Sequence, residues 1–179
     1  MHPLDYLLRL LGKEPMTKIL AGHKAPGFAL KSTSGQKVSL QEALEKGPVV
    51  AAFFKISCPV CQFTFPFLER IYKKYGGDGV TVVGISQDDA RDTKEFCAEY
   101  GVTFPCLIDE RGYPASNAYG LTNVPTVFLI EPDGKVKVSS MGFSKTDLEK
   151  IADYLAERKR MSKAPLFLPT EVIPDYKPG

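Results

Sequence analysis

Residues 51–75 read AAFFKISCPVCQFTFPFLERIYKKY, and within that span a continuous apolar run gives way to a helical pattern at Ser57-Cys58-Pro59-Val60-Cys61. From Pro48 to Phe54 apolar residues do not alternate with polar ones, the pattern of a parallel strand buried on both faces. From Gln62 onward Phe65, Leu68, Ile71 and Tyr72 recur at helical spacing, with Glu69, Arg70, Lys73 and Lys74 between them. Cys58 therefore stands where a strand ends and a helix begins. A helix N-terminus presents unpaired N–H groups and a positive partial charge of roughly half an elementary charge, which favours thiolate over thiol. Pro59 suits the first helical position, where its missing N–H has no partner to lose. Cys61, one turn on, lies over the same face and within disulfide reach. The pair reads as an exposed nucleophile, Cys58, and a resolving thiol, Cys61. The alternative is half of a zinc site, which needs two further ligands. His2, His23, Cys97 and Cys106 remain, none in a Cys-x-x-Cys or His-x-x-His spacing. Redox chemistry is the reading, and no metal or other cofactor is expected.

The 179 residues, 44% of them hydrophobic, suffice to bury a full core as one domain with extensions. With 23 basic residues against 21 acidic ones and no long block of one sign, the formal charge is only +2, which argues against nucleic acid or an anionic membrane as the main partner. Four cysteines are too few for a disulfide scaffold in a chain of this size, so a Cys-x-x-Cys between strand and helix reads as catalytic.

Three segments are expected. Residues 1–17 form an N-terminal extension in which Leu4, Leu7, Leu8 and Leu11 mark one face of a short helix over Pro3 to Leu11, docking on the domain or on a second subunit. This run is interrupted by Asp5 and Arg9, too short to span a membrane, and lacks the basic start and small-residue cleavage site of a secretory signal, so the cytoplasm is the expected compartment. Residues 18–160 form the main domain. Phe28 to Leu30 and Lys37 to Leu40 make a hairpin around Ser32-Thr33-Ser34-Gly35, and Gln41 to Lys46 a helical turn. Strands follow over Val80 to Ser86, Thr103 to Asp109, Thr126 to Ile130 and Val136 to Ser140. Helices run from Asp88 or Asp89 to Tyr100, over Pro114 to Tyr119, and from a Ser144 cap to about Arg160. Strands alternating with helices predict an α/β fold, a central mixed β-sheet with both faces covered. Residues 161–179 carry Pro165, Pro169, Pro174 and Pro178, which preclude a regular helix or central strand. With Leu166, Phe167, Leu168, Val172 and Ile173 the segment reads as an arm laid across the domain or a neighbouring subunit, so oligomerisation through the terminal extensions is open.

Taken together, Gly47 to Tyr75, Val80 to Ser86, Phe104 to Asp109 and Asn123-Val124-Pro125-Thr126-Val127-Phe128-Leu129-Ile130 resemble the thioredoxin superfamily over about Ala25 to Tyr154. Within it the chain is similar to the redoxin branch, which groups alkyl hydroperoxide reductase/thiol-specific antioxidant proteins with thioredoxin-like disulfide reductases. Pro66 stands five residues after the second cysteine, where thioredoxins kink the same helix; an interior helical proline costs about 3 kcal/mol and is not placed by chance. The strand and helix between Asp88 and Tyr119 match the unit that this branch inserts. The resemblance implies a thioredoxin-like fold. It also implies that Val124-Pro125-Thr126 is a cis-proline loop facing the cysteine pair, whose backbone pairs with a substrate strand beside Pro59 and Val60. Read without the family, Pro125 is a strand-entry proline.

The departures bear on mechanism. Ser57 replaces the tryptophan that usually precedes the first cysteine, and Ala52 stands where thioredoxins bury an acid, leaving no identified proton acceptor for Cys61. Lys55, at the strand end, is read as supporting the Cys58 thiolate, or as a lysine snorkelling outward. Peroxiredoxins carry a threonine or serine where this chain has Lys55, and an arginine about where it has Pro125, so the donors that stabilise a leaving peroxide oxygen are missing. The expected activity is thiol–disulfide exchange between Cys58-Cys61 and a protein or small-molecule disulfide, reset by a dithiol donor. A thiol peroxidase using Cys58 is the second reading, and a redox-inert binding module the third. Phe54, Ile56 and Phe63 are read as a docking surface or as core. Cys97 and Cys106 are read as core residues, with an extra resolving cysteine for Cys58 as the sharper alternative.

Overall fold

Strand β3, Val49–Phe54, is buried along its whole length and divides its side chains between two cores. Val50, Ala52 and Phe54 enter one core and Val49, Ala51 and Phe53 the other, the period of two that a pleated strand imposes. The computed structural model describes residues 18–179; the helix expected over Pro3 to Leu11 lies outside them.

Around β3 runs a five-stranded mixed sheet. β4, Thr81–Ser86, pairs parallel to β3, and β5, Cys106–Ile108, pairs parallel to β4. On the other side β6, Thr126–Ile130, and then β7, Val136–Met141, are antiparallel. The hairpin of β1, Ala29–Lys31, and β2, Lys37–Ser39, forms its own small sheet. Helices cover both faces. α2, Pro59–Tyr75, α3, Ala90–Tyr100, and α5, Lys145–Arg158, send Phe65, Leu68, Phe96, Ile151 and Leu155 into the first core. α1, Leu40–Lys46, and α4, Pro114–Ala118, send Leu40, Ala43 and Ala115 into the second. Phe54 meets Phe65 and Phe96 at 4.3 and 5.0 Å between ring centroids, and Phe53 meets Tyr119 at 5.0 Å. The fold is the thioredoxin-like α/β arrangement that the resemblance implied.

Two expected elements are shorter than their patterns. The strand expected over Thr103 to Asp109 pairs only at Cys106–Ile108. Pro105 has no N–H to offer, and the Thr103 N–H goes instead to the buried Glu69 carboxylate at 2.8 Å, which also takes the Thr103 hydroxyl. Helix α3 starts after Asp89, whose side chain accepts the Asp92 N–H at 2.8 Å, so Asp89 and not Asp88 is its cap.

After α5 the chain turns back across α2. Phe167 is buried against Phe67 and Phe143, with centroids 5.0 and 6.0 Å apart, an anchor worth about 1.5–3 kcal/mol as a buried aromatic. Arg70 holds Glu171 through two hydrogen bonds and gives a third to the Leu166 carbonyl at 3.1 Å. The last strand, β9, Tyr176–Lys177, pairs antiparallel with β8, Phe143–Ser144, immediately before α5. No helix among the described residues is long and apolar enough to cross a membrane.

Candidate active site

Cys58 is the N-cap of α2, and Pro59 fills the first helical position. The Cys58 Sγ accepts the Cys61 N–H at 3.2 Å, and its own backbone N–H donates to the Lys55 carbonyl at 3.3 Å. Across the site its S–H donates to the Val124 carbonyl at 3.4 Å. One sulfur thus touches both the first turn of the helix and the loop before β6. The Val124–Pro125 peptide is cis, and the Pro125 carbonyl is taken by the Gly142 N–H at 2.8 Å.

The two thiols sit in different surroundings. Cys58 is half-buried, with exposed Pro59 and half-buried Val60 beside it, whereas Cys61 is fully enclosed. Burial pushes the Cys61 thiol well above the ordinary thiol range. Its hydrogen bond with Cys58 and the charges of Cys58 and Asp88 add to that, and the Lys55 backbone opposes it. Burial therefore favours the thiol form of Cys61. In this structure none of the four cysteine sulfurs is bonded to another.

Asp88 is a residue the sequence reading took only as a helix cap. Its Oδ2 accepts the Ile56 N–H at 2.8 Å, while the Gln62 Nε2 donates to the Ile56 carbonyl at 2.9 Å. Both backbone groups of Ile56 are held, and with them the bend that delivers Cys58. The signal lies in the parallel register: Phe54 is level with Ser86, so two residues on, Ile56 is level with Asp88. Ala52, at the position of the missing acid, is sealed in the sheet between Gly84 and Val127. Asp88 is the carboxylate whose charge acts on Cys61.

Other expected residues take different parts. Lys55 reaches the pair through its backbone, and its side chain makes no hydrogen bond to Cys58. It lines a cleft of about 320 Å³ with Gln87, Leu121, Thr122, Asn123 and Val124. Thr126, expected to touch substrate, is buried, and its hydroxyl donates to the Asn123 carbonyl at 2.8 Å; it braces the loop from beneath. Phe54 is core, whereas Phe63 is half-buried with the Lys177 ammonium 4.9 Å above its ring. Residues 177–179 of the arm thus lie beside the site, with Gly179 against the Val124 carbonyl. Cys97 and Cys106 lie against each other, and neither sulfur is in hydrogen-bond contact with Cys58 or Cys61.

The sequence profile described as the AhpC/TSA family matches residues 21–139. Among curated relatives, the thiol-disulfide oxidoreductase ResA of Bacillus anthracis is 33% identical over 126 residues, 70% of this chain and 72% of that protein. ResA of Bacillus subtilis (strain 168) is also 33% identical over 126 residues, covering 70% of this chain and 68% of its own length. Among solved structures, that of a candidate thiol:disulfide interchange protein DsbE from Chlorobium tepidum superposes with a TM-score of 0.69 at 30% identity, covering 78% of this chain and 98% of that one.

Proposed function

The chain belongs to the AhpC/TSA family and is a thiol–disulfide oxidoreductase, and we propose that it reduces disulfides of other proteins with Cys58 as nucleophile and Cys61 as resolving thiol. The observation that carries this reading is the Cys58 sulfur itself, held between the Cys61 N–H and the Val124 carbonyl. The Cys58 thiolate attacks one sulfur of a substrate disulfide, the S–S bond breaks, and the departing thiolate takes a proton from solution. A substrate strand lies along Val124 while the mixed disulfide exists, with Pro59 and Val60 flanking the sulfur. Cys61 then loses its proton and attacks the Cys58 sulfur, expelling the second substrate thiol and leaving a Cys58–Cys61 disulfide. Two electrons have passed to the substrate, and an external dithiol returns them. Asp88 and Gln62 position the bend, and Lys55 contributes backbone.

Mixing the reduced protein with insulin, a disulfide-bonded test protein, checks this. The wild type should end with a Cys58–Cys61 disulfide, Cys61→Ser should trap a mixed disulfide on Cys58, and Cys58→Ser should be inert. Hydrogen peroxide is the contrasting oxidant. Loss of the Cys58 thiol at an ordinary thiol rate supports disulfide exchange, and a rate orders of magnitude faster assigns the site to peroxide.

A further inference from the structure

A second pair of thiols touches outside the site. Cys97 stands in the penultimate turn of α3 and Cys106 opens β5, and their sulfurs are 3.4 Å apart. A disulfide needs about 2.05 Å, so closure brings the two sulfurs together by little more than 1 Å. The contact is built by the surrounding chain. Cys106 is level with Gly84 on β4, and a Cβ on Gly84 would fall 2.9 Å from the Cys106 Sγ; the absent side chain is the room the sulfur occupies. The connection is fixed at both ends. Gly101 turns out of α3 at φ +67, the Val102 N–H closes on the Cys97 carbonyl at 2.9 Å, and Glu69 holds Thr103.

The two sulfurs differ in access. Cys97 is half-buried, whereas Cys106 is 2% exposed. The hydrogen bond between the two sulfurs lowers the Cys97 thiol against the cost of its burial, and the same contact, with burial, raises Cys106. The outer thiol is therefore both the reachable one and the one that ionises first.

We propose that Cys97 and Cys106 form a second redox-active dithiol, oxidised by small aliphatic disulfides that reach Cys97 from solution. The Cys97 thiolate attacks one sulfur of the small disulfide, whose S–S bond breaks, and the leaving thiolate is protonated by solvent. Cys106 gives its proton to solvent and attacks the Cys97 sulfur, releasing the second small thiol. Two protein thiols become one disulfide, and one small disulfide becomes two thiols. This pair is separate from Cys58-Cys61 and does not depend on the function assigned there.

Both cysteines fall in one tryptic peptide, residues 95–111, between Lys94 and Arg111. The reduced full-length protein is incubated with hydroxyethyl disulfide, quenched in acid, alkylated with N-ethylmaleimide, digested and weighed. Oxidation of the Cys58–Cys61 peptide in the same sample confirms that the reagent is active. The expected result is a 95–111 peptide without alkylation and lighter by two hydrogens, which takes up two N-ethylmaleimide groups once dithiothreitol has reduced it and fresh reagent is added. Cys106→Ala should instead retain the mixed disulfide on Cys97. The wild-type readout stands alone if that variant fails to fold. A wild-type peptide that stays doubly alkylated after Cys58–Cys61 has fully oxidised overturns the proposal, and so does a mixed disulfide on Cys97 that Cys106 never resolves.

Discussion

Gly179 lies so close to the carbonyl of Val124 that a Cβ on it would stand 2.4 Å from that oxygen. The same carbonyl accepts the Cys58 S–H, so the arm and the nucleophile meet on one atom. Gly179→Val should push residues 177–179 off the loop. Alkylation of Cys58 in the reduced protein by iodoacetamide should then become several-fold faster, with the circular dichroism spectrum unchanged. An unaltered rate would mean that the arm does not shield the sulfur.

The buried Cys61 sets a pH dependence for the second step. Its thiol is held well above the ordinary range, chiefly by burial, so at neutral pH only a small fraction is thiolate. Release of the mixed disulfide should therefore accelerate by about tenfold per pH unit across the neutral range, following the thiolate fraction. Stopped-flow release of a chromophoric thiol from Cys58 measures it; a flat profile would place a proton acceptor beside Cys61.

Asp88 combines a hydrogen bond with a charge, and two variants separate them. Asp88→Asn keeps an acceptor for the Ile56 N–H and removes the carboxylate that disfavours the Cys61 thiolate. It should speed resolution and leave the melting temperature near that of the wild type. Asp88→Ala also strands the Ile56 N–H and should cost about 1 kcal/mol of stability in denaturant unfolding. Equal stabilities for the two variants would remove the positioning role.

Glu171 ties the arm to α2 in a pH-dependent way. The hydrogen bonds from Arg70, and then the Leu168 N–H, depress its carboxyl from the ordinary 4.5 to about 2. A depressed folded-state value stabilises the ionised form, so this contribution is whole above pH 4.5 and is lost as pH falls toward 2. Amide exchange in residues 166–171 should rise over that window in the wild type, and Glu171→Gln should abolish the pH dependence while loosening the arm at neutral pH. The pair is reached by solvent, so added salt should weaken the attachment as well.

What the sequence disclosed follows from the range of the interactions. The apolar run of β3, the proline at the start of α2 and the cysteine spacing are local patterns, and they place the strand–helix junction without a structure. Thr103 reads as strand because its neighbours are apolar. It is drawn out of the sheet by Glu69, some 34 positions away, which no local pattern encodes. Asp88 is equally ambiguous beside Asp89 until the register of β3 and β4 sets it against Ile56. Thr126 reads as part of the loop that meets substrate, and is instead buried with its hydroxyl satisfied by the Asn123 carbonyl inside that loop. The contact of Cys97 with Cys106 needed both the helix end at Gly101 and the vacant side chain of Gly84.

The capping role of Cys58 ties the helix to the oxidation state of the pair. In the reduced pair its sulfur accepts the Cys61 N–H; bonded to the Cys61 sulfur in a disulfide, it would be a poorer acceptor with less freedom to aim at that N–H. An N-cap hydrogen bond stabilises the first turn of a helix, and that part of the stability of α2 belongs to the dithiol. By linkage the folded protein favours its reduced form, which shifts the reduction potential of the pair upward. The first turn of α2 thus makes the Cys58–Cys61 disulfide a somewhat stronger oxidant than the same two cysteines would form in an unfolded chain.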